Sequence, residues 1–319
     1  LNPNTSLLYL EGFSFRADIV VPLFLFFLTI YFGIVIGNTA VMRVIIVNRN
    51  LHEPMYILLC NMSVCDLIGS TALLPRLMAD LFEEVKPISF EPCVIQAFCI
   101  HFYGTASQLI LTVMAYDRYI AICDPLRYTS ILTGTALIKL CSFAWGGAFI
   151  LITILIGLTA RLPRCGTKIF LIFCNNPSLF SLSCVDTTLN NIYGLFIAYL
   201  LSSLSFATIV WTYSKILYTC LIKSDNRTKR KRKAIHTCAT HLTVYIFYEV
   251  IVLFTVIAQR YPSTNTNIRN SIGILIMITS PLLNPIIYGI NTKEIRRNEP
   301  ILGRVPTHRR THTNTPSTH

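Results

Sequence analysis

Seven apolar blocks, each long enough to cross a lipid bilayer, constrain this chain more than any other feature. They run roughly from Ile19 to Met42, Met55 to Met78, Val94 to Ile122, Ala136 to Ala160, Ile192 to Leu221, Ile235 to Ala258 and Ile272 to Ile290. A spanning helix needs about 20 mostly apolar residues, and every block offers at least nearly that. A membrane β-strand needs only about 10 residues and alternates strictly, which these blocks do not. The predicted fold is therefore an all-α membrane protein, a seven-transmembrane helix bundle. Composition agrees: the 319 residues are 53% hydrophobic and only 13% charged, with a mean hydropathy of +0.57, too apolar for an ordinary soluble protein.

A net charge of +12 is compatible with nucleic-acid binding, but the distribution points to a membrane, and no nucleic-acid partner is expected. Arg49, Arg127, Lys223, Arg227, the run from Lys229 to Lys233, Lys293, Arg296, Arg297, Arg304, Arg309 and Arg310 all fall on one side of the bundle. The opposite loops carry fewer cations, and Glu83, Glu84, Glu91 and Asp186 partly offset them. The positive-inside rule then places the amino terminus outside and the carboxyl terminus in the cytoplasm. The expected organisation is an extracellular segment over 1–18, a membrane domain over 19–290 and a cytoplasmic tail over 291–319. Glu11 and Asp18 precede an apolar stretch too long for a cleaved signal, so the first helix is expected to direct its own insertion. The Asn4-Thr5-Ser6 sequon lies outside, where Asn4 is a glycosylation candidate. Cys93, Cys165, Cys174 and Cys184 also lie outside, in an oxidising compartment; four cysteines permit three pairings, and spacing does not choose among them.

At the end of the third block stands Met114-Ala115-Tyr116-Asp117-Arg118-Tyr119-Ile120-Ala121-Ile122-Cys123. An Asp-Arg pair there suits a latch: Arg118 is held by Asp117 or swings out to meet another protein when the helices part. The last block ends in Ser280-Pro281-Leu282-Leu283-Asn284-Pro285-Ile286-Ile287-Tyr288-Gly289, where each proline removes a backbone donor and kinks the helix. The sixth block opens with Lys233-Ala234-Ile235-His236-Thr237-Cys238-Ala239-Thr240-His241-Leu242, after a basic run. These three strings, together with the loop CGTKIFLIFC and SLSCVDT, Pro54-Met55-Tyr56 and Trp145, resemble the odorant receptors, a branch of the rhodopsin-like G protein-coupled receptors. The resemblance extends from about Gly37 to Arg297.

The resemblance implies a receptor without enzymatic activity, in the plasma membrane and, if olfactory, in sensory cilia. Its implied partners are a small-molecule odorant, the lipid bilayer and a heterotrimeric G protein of the stimulatory olfactory type, which raises cAMP. It implies disulfides Cys93 to Cys174 and Cys165 to Cys184, and coupling or switch roles for Asp117, Arg118, Tyr119, Tyr213, Asn284, Pro285 and Tyr288. Polar residues inside spanning helices are functional candidates in any case; here Asn38, Asp66, Ser107 and Asn284 match a family network, and Asp66, Ser107 and Asn284 are a candidate sodium site. No other cofactor is expected.

The expected pocket lies between the third, fifth, sixth and seventh helices, under the loop. On the third helix His101, Gly104, Thr105 and Gln108 fall at i, i+3, i+4 and i+7, one stripe. On the sixth, Glu249, Val252, Leu253, Val256 and Arg260 form a matching stripe. Arg260 and His101, with the tail segment from Asn291 to Arg296, resemble a fish-like branch that detects carboxylic acids, so an acidic odorant is one expectation; the alternative for Arg260 is a residue reaching to the membrane interface. Glu249 departs from the family, which has tyrosine there. Three readings stand for it: neutralised by burial, paired with a buried cation, or holding a cationic ligand group. Glu249 and Arg260 lie roughly 16 Å apart along a helix, too far to clasp one compact zwitterion. In the tail, Asn298-Glu299-Pro300 interrupts the short amphipathic helix the family has after Arg297.

Three rivals share parts of this pattern. A rhodopsin-like receptor for a peptide, amine or lipid lacks only the odorant-type strings. A channel or transporter would use Asp66 and Glu249 as an ion path, but no internal repeat or matched pair of broken helices is present. The unusual tail and Glu249 also fit the product of a decayed gene.

Overall fold

Six of the seven predicted spans are long apolar helices in the computed structural model, and the sixth span contains a shorter one, Tyr248–Ala258. The structure describes residues 7–12, 16–222, 242, 245–246, 248–258 and 265–291. In chain order the elements are β1 (Leu7–Leu10), α1 (Ala17–Val47), a 3-10 turn (Arg49–Leu51), α2 (Pro54–Asp80), β2 (Lys86–Ser89), α3 (Phe90–Cys123), α4 (Tyr128–Ile131), α5 (Gly134–Ala160), β3 (Lys168–Ile169), α6 (Asn176–Phe180), α7 (Thr188–Ile222), α8 (Tyr248–Ala258) and α9 (Thr266–Asn291). The spanning helices, first to seventh, are α1, α2, α3, α5, α7, α8 and α9. In hydrocarbon a helix satisfies every backbone group internally, so apolar composition and sufficient length together select it. The shortest of the long helices, α9, has 26 residues and is about 39 Å long at 1.5 Å per residue, more than the roughly 30 Å hydrocarbon core.

The helices overrun the apolar blocks. α3 starts at Phe90 rather than Val94, and α9 at Thr266 rather than Ile272. The blocks mark what lipid requires, whereas backbone hydrogen bonding continues into the interface, where Glu91, Asn267 and Arg269 are tolerated. α3 is the central element, packed against α2, α5 and α7. α5 buries one stripe, including Leu137, Ala144, Ala148 and Ile152, and leaves Phe143, Phe149 and Ile150 exposed, as expected of a helix at the lipid boundary.

Two glycines set close contacts. A Cβ on Gly69 would stand 2.5 Å from the Tyr103 ring, so α2 and α3 approach over a bare backbone there. A Cβ on Gly37 would stand 3.1 Å from Pro285, which brings α1 against the kinked part of α9. Pro285 has no N–H to give the carbonyl of Pro281 one turn earlier. Asn38 Nδ2 supplies the missing donor at 3.0 Å.

The outer end carries a small sheet that the sequence reading did not anticipate. β1 pairs antiparallel with β2, Leu7 opposite Ser89, and parallel with β3, Tyr9 opposite Lys168. Leu8, Leu10, Ile88 and Ile169 are buried beneath it. Disulfides Cys93–Cys174 and Cys165–Cys184 are both present, with Cα separations of 5.3 and 5.6 Å. Gln96 adds a second tie, accepting from Cys174 N at 2.8 Å and donating to Ala72 O at 2.9 Å. Asn270 Oδ1 accepts from Ile172 N at 3.2 Å, joining the same loop to α9. The loop is thereby fixed as a lid over the bundle.

Candidate functional site

Beneath the lid lies a cavity of about 160 Å³, bounded by α3, α5, α7, α8, α9 and the segment Phe173 to Pro177. Its walls are mostly apolar, including Ile100, Leu155, Leu201, Val252, Ile276 and Met277, and the polar groups are few: His101, Tyr103, Thr105, Gln108, Asn175, Asn176, Tyr248 and Thr255. That mixture suits a small, largely apolar ligand positioned by a few hydrogen bonds. At the inner end, Gln108 Nε2 donates to Glu249 Oε2 at 2.9 Å and to Ser205 Oγ at 3.2 Å. Tyr245 Oη lies 2.9 Å from Ser205 Oγ, and Tyr248 Oη donates to Gly104 O at 3.0 Å. α3, α7 and α8 are joined by these side chains.

A layer of unpaired oxygens lies among α1, α2, α3 and α9. Asn284 Nδ2 donates to Asp66 Oδ2 at 2.8 Å. The remaining oxygens, Asp66 Oδ1, Ser107 Oγ, Asn284 Oδ1 and Asn38 Oδ1, are buried without a hydrogen-bond partner among the described residues. Buried polar atoms are normally satisfied, so four orphaned oxygens on contacting helices call for an explanation.

At the cytoplasmic end of α3, Asp117 Oδ2 accepts from Arg118 Nε at 2.8 Å, and Asp117 Oδ1 accepts from Tyr128 Oη at 2.7 Å. The Asp117 side chain is 1% exposed and that of Arg118 18%, so the pair is well shielded from solvent. Burial and the adjacent Asp117 carboxylate push the Tyr128 phenol far above its ordinary range, which keeps it a donor to Asp117. Tyr119 packs on Trp211 of α7 with ring centroids 4.8 Å apart. Tyr213 packs with Ala115, Ile209 and Tyr245.

A lidded cavity at one end of α3 and a latched arginine at the other is the layout of a transmembrane receptor, and sequence comparison decides which kind. A family profile described as olfactory receptor matches residues 27–301. The chain belongs to the olfactory receptor family. It is 36% identical to olfactory receptor 4Q2 of Homo sapiens over 291 residues, 90% of each chain, and 36% identical to olfactory receptor 4E1 of Homo sapiens over 288 residues, again 90% of each. It is 33% identical to olfactory receptor 4B13 of Mus musculus over 294 residues, 92% of this chain and 94% of that one. It is therefore an odorant-sensing G protein-coupled receptor, a multi-pass protein of the plasma membrane and not an enzyme. Family membership favours neither the non-odorant receptor nor the channel.

Within the receptor, His101, Gly104, Thr105 and Gln108 of α3 and Val252 and Val256 of α8 line the cavity together. Leu253 is half-buried and is not part of the wall, because α8 is turned so that Thr255 takes that place. Glu249 lies behind Gln108 and reaches the cavity through it. Arg260, Asn4 and the sixth-helix opening string from Lys233 to His241 fall outside the described residues, as does the side chain of Tyr288, while Leu242, which ends that string, packs with Ala115, Ile209 and Tyr245. His101 has an unforeseen use: its Nε2 accepts from the backbone N–H of Asn176 at 3.0 Å, so it helps seat the lid. The acidic-odorant expectation leans on Arg260 and His101, and the described lining residues include no Lys or Arg. Sequence reasoning missed Asn175, Asn176, Phe173, Met277 and Ile197, all in the wall. The polar pair directly after bridging Cys174 was the available signal.

Proposed function

We propose that a small odorant occupies the cavity beneath the lid and that its binding releases the Asp117–Arg118 latch, so that Arg118 engages a stimulatory heterotrimeric G protein and cAMP rises, in sensory cilia. The observation that carries this reading is the placement of cavity and latch on one helix. Gln108 and Arg118 are about 15 Å apart along α3, and α8 is tied to the cavity end of that helix through Tyr248 and Glu249. A ligand that binds the open arrangement tenfold better moves the equilibrium by about 1.4 kcal/mol. Replacing Arg118 with Ala is expected to abolish odorant-evoked cAMP while surface staining stays at the parent level. Retained signalling removes Arg118 from this role.

The orphaned oxygens of Asp66, Ser107 and Asn284 support a bound sodium ion in the same reading. All are hard oxygen donors, and Asp66 contributes the negative charge. Such an ion supplies positive charge opposite Asp66 inside the membrane; the chain's own part is to hold α2, α3 and α9 at that layer.

A further inference from the structure

Among the described residues of the cavity wall, the Asn176 side chain holds a donor in reserve. Asn176, the first residue of α6, lines the cavity and is 1% exposed, and its Nδ2 has no hydrogen-bond partner among the described residues. The other end of its carboxamide fixes the orientation. The Thr159 hydroxyl donates to Asn176 Oδ1 at 2.6 Å, a separation that suits O–H···O and is short for an amide N–H. Thr159 is itself held by Asn190 Nδ2 at 3.0 Å. The backbone is pinned as well: Asn176 N donates to His101 Nε2, and Asn175 and Ser178 form a capping box across the start of α6. Nδ2 is thus a preorganised donor that folding itself leaves unsatisfied. A buried donor in that condition is unfavourable, and a ligand oxygen relieves it.

Charge narrows the ligand class. No described residue of the wall is a Lys or Arg, and the ionisable group at the inner end is the Glu249 carboxyl. A carboxylate brought here finds no cation among the described residues and leaves water for little return. An ammonium finds a donor, not an acceptor, at Asn176 Nδ2, and the Glu249 carboxyl stands behind Gln108, outside the described wall. We propose that the receptor selects neutral odorants bearing a carbonyl oxygen (ketones, aldehydes or esters), with Asn176 Nδ2 donating to that oxygen and the aliphatic remainder lying against Ile100, Leu155, Phe173 and Leu201. This rests on the reading of the cavity as the odorant site.

The test uses the full chain in cells with a cAMP reporter and surface staining. The probes are methyl hexyl ketone, octanoic acid, octylamine and octane, alongside a broad odorant mixture. The ketone is expected to be the most potent of the four. Asn176→Asp retains an oxygen for Thr159 but removes the donor, and it is expected to weaken the ketone response about tenfold or more, the scale of one buried hydrogen bond. Asn176→Leu is expected to do the same; if it fails to reach the surface, Asn176→Asp decides. The proposal is overturned if the acid, amine or alkane outranks the ketone, or if Asn176→Asp responds like the parent. Silence toward all four probes, with a response to the mixture, overturns it too. Silence toward the mixture as well brings down the cavity reading and this proposal together.

Discussion

Asn284 uses Nδ2 to donate to Asp66 and leaves its Oδ1 without a partner among the described residues, as Asp66 and Ser107 each leave one oxygen. Protein atoms therefore complete only part of this layer, and a cation that binds the folded receptor alone stabilises it by mass action. The expected outcome is a higher melting temperature for detergent-purified receptor in sodium chloride than in choline chloride at equal ionic strength, with Asp66→Asn removing the difference. Equal melting of the parent in both salts would falsify a sodium site. These residues were legible in the sequence because an ionisable or amide side chain within a spanning helix is costly wherever it stands. Asn176 was not legible in that way. It opens the short helix α6 within the lid, where asparagine is ordinary, and its importance comes from which end of its amide Thr159 occupies. Glu249 stood out as a departure from the family, yet its partner Gln108 was reachable only through the packing of α3 on α8.

The spanning helices could be read from composition, because in lipid length and apolarity leave the backbone one solution. The β1–β2–β3 sheet could not. Its strands are four, four and two residues long and pair across distances in sequence that no local pattern encodes. The lid sits between these cases: its cysteines were visible, and the family resemblance implied their pairing, but its polar ties were hidden. Gln96 spends its whole carboxamide there, accepting from Cys174 N and donating to Ala72 O. Replacing Gln96 with Leu strands the buried Cys174 N–H, at a cost of about 2 kcal/mol. The Cys93–Cys174 bridge still attaches the loop, so the variant is expected to reach the surface and to melt earlier than the parent in purified form. An unchanged melting temperature would mean that the bridge alone seats the lid.

On the scale of the whole bundle, cavity and latch communicate only if α8 has two positions relative to α3. In the arrangement seen here Arg118 is held by Asp117, so contacts made in it favour the closed receptor. Tyr248 Oη donating to Gly104 O is one such contact, made at the cavity itself. Phenylalanine keeps the ring in place and removes only the hydroxyl, so Tyr248→Phe deletes about 1 kcal/mol of closed-state preference. If the open arrangement lacks this bond, the open fraction rises about fivefold, since that is the equilibrium factor which 1 kcal/mol represents. Basal cAMP per surface receptor is therefore expected to increase several-fold in Tyr248→Phe without any odorant. The increase should vanish when Arg118→Ala is added, because the partner then has no arginine to engage. Basal signalling equal to the parent's would show that the Tyr248 bond survives opening, and that the hinge between cavity and latch lies elsewhere on α8.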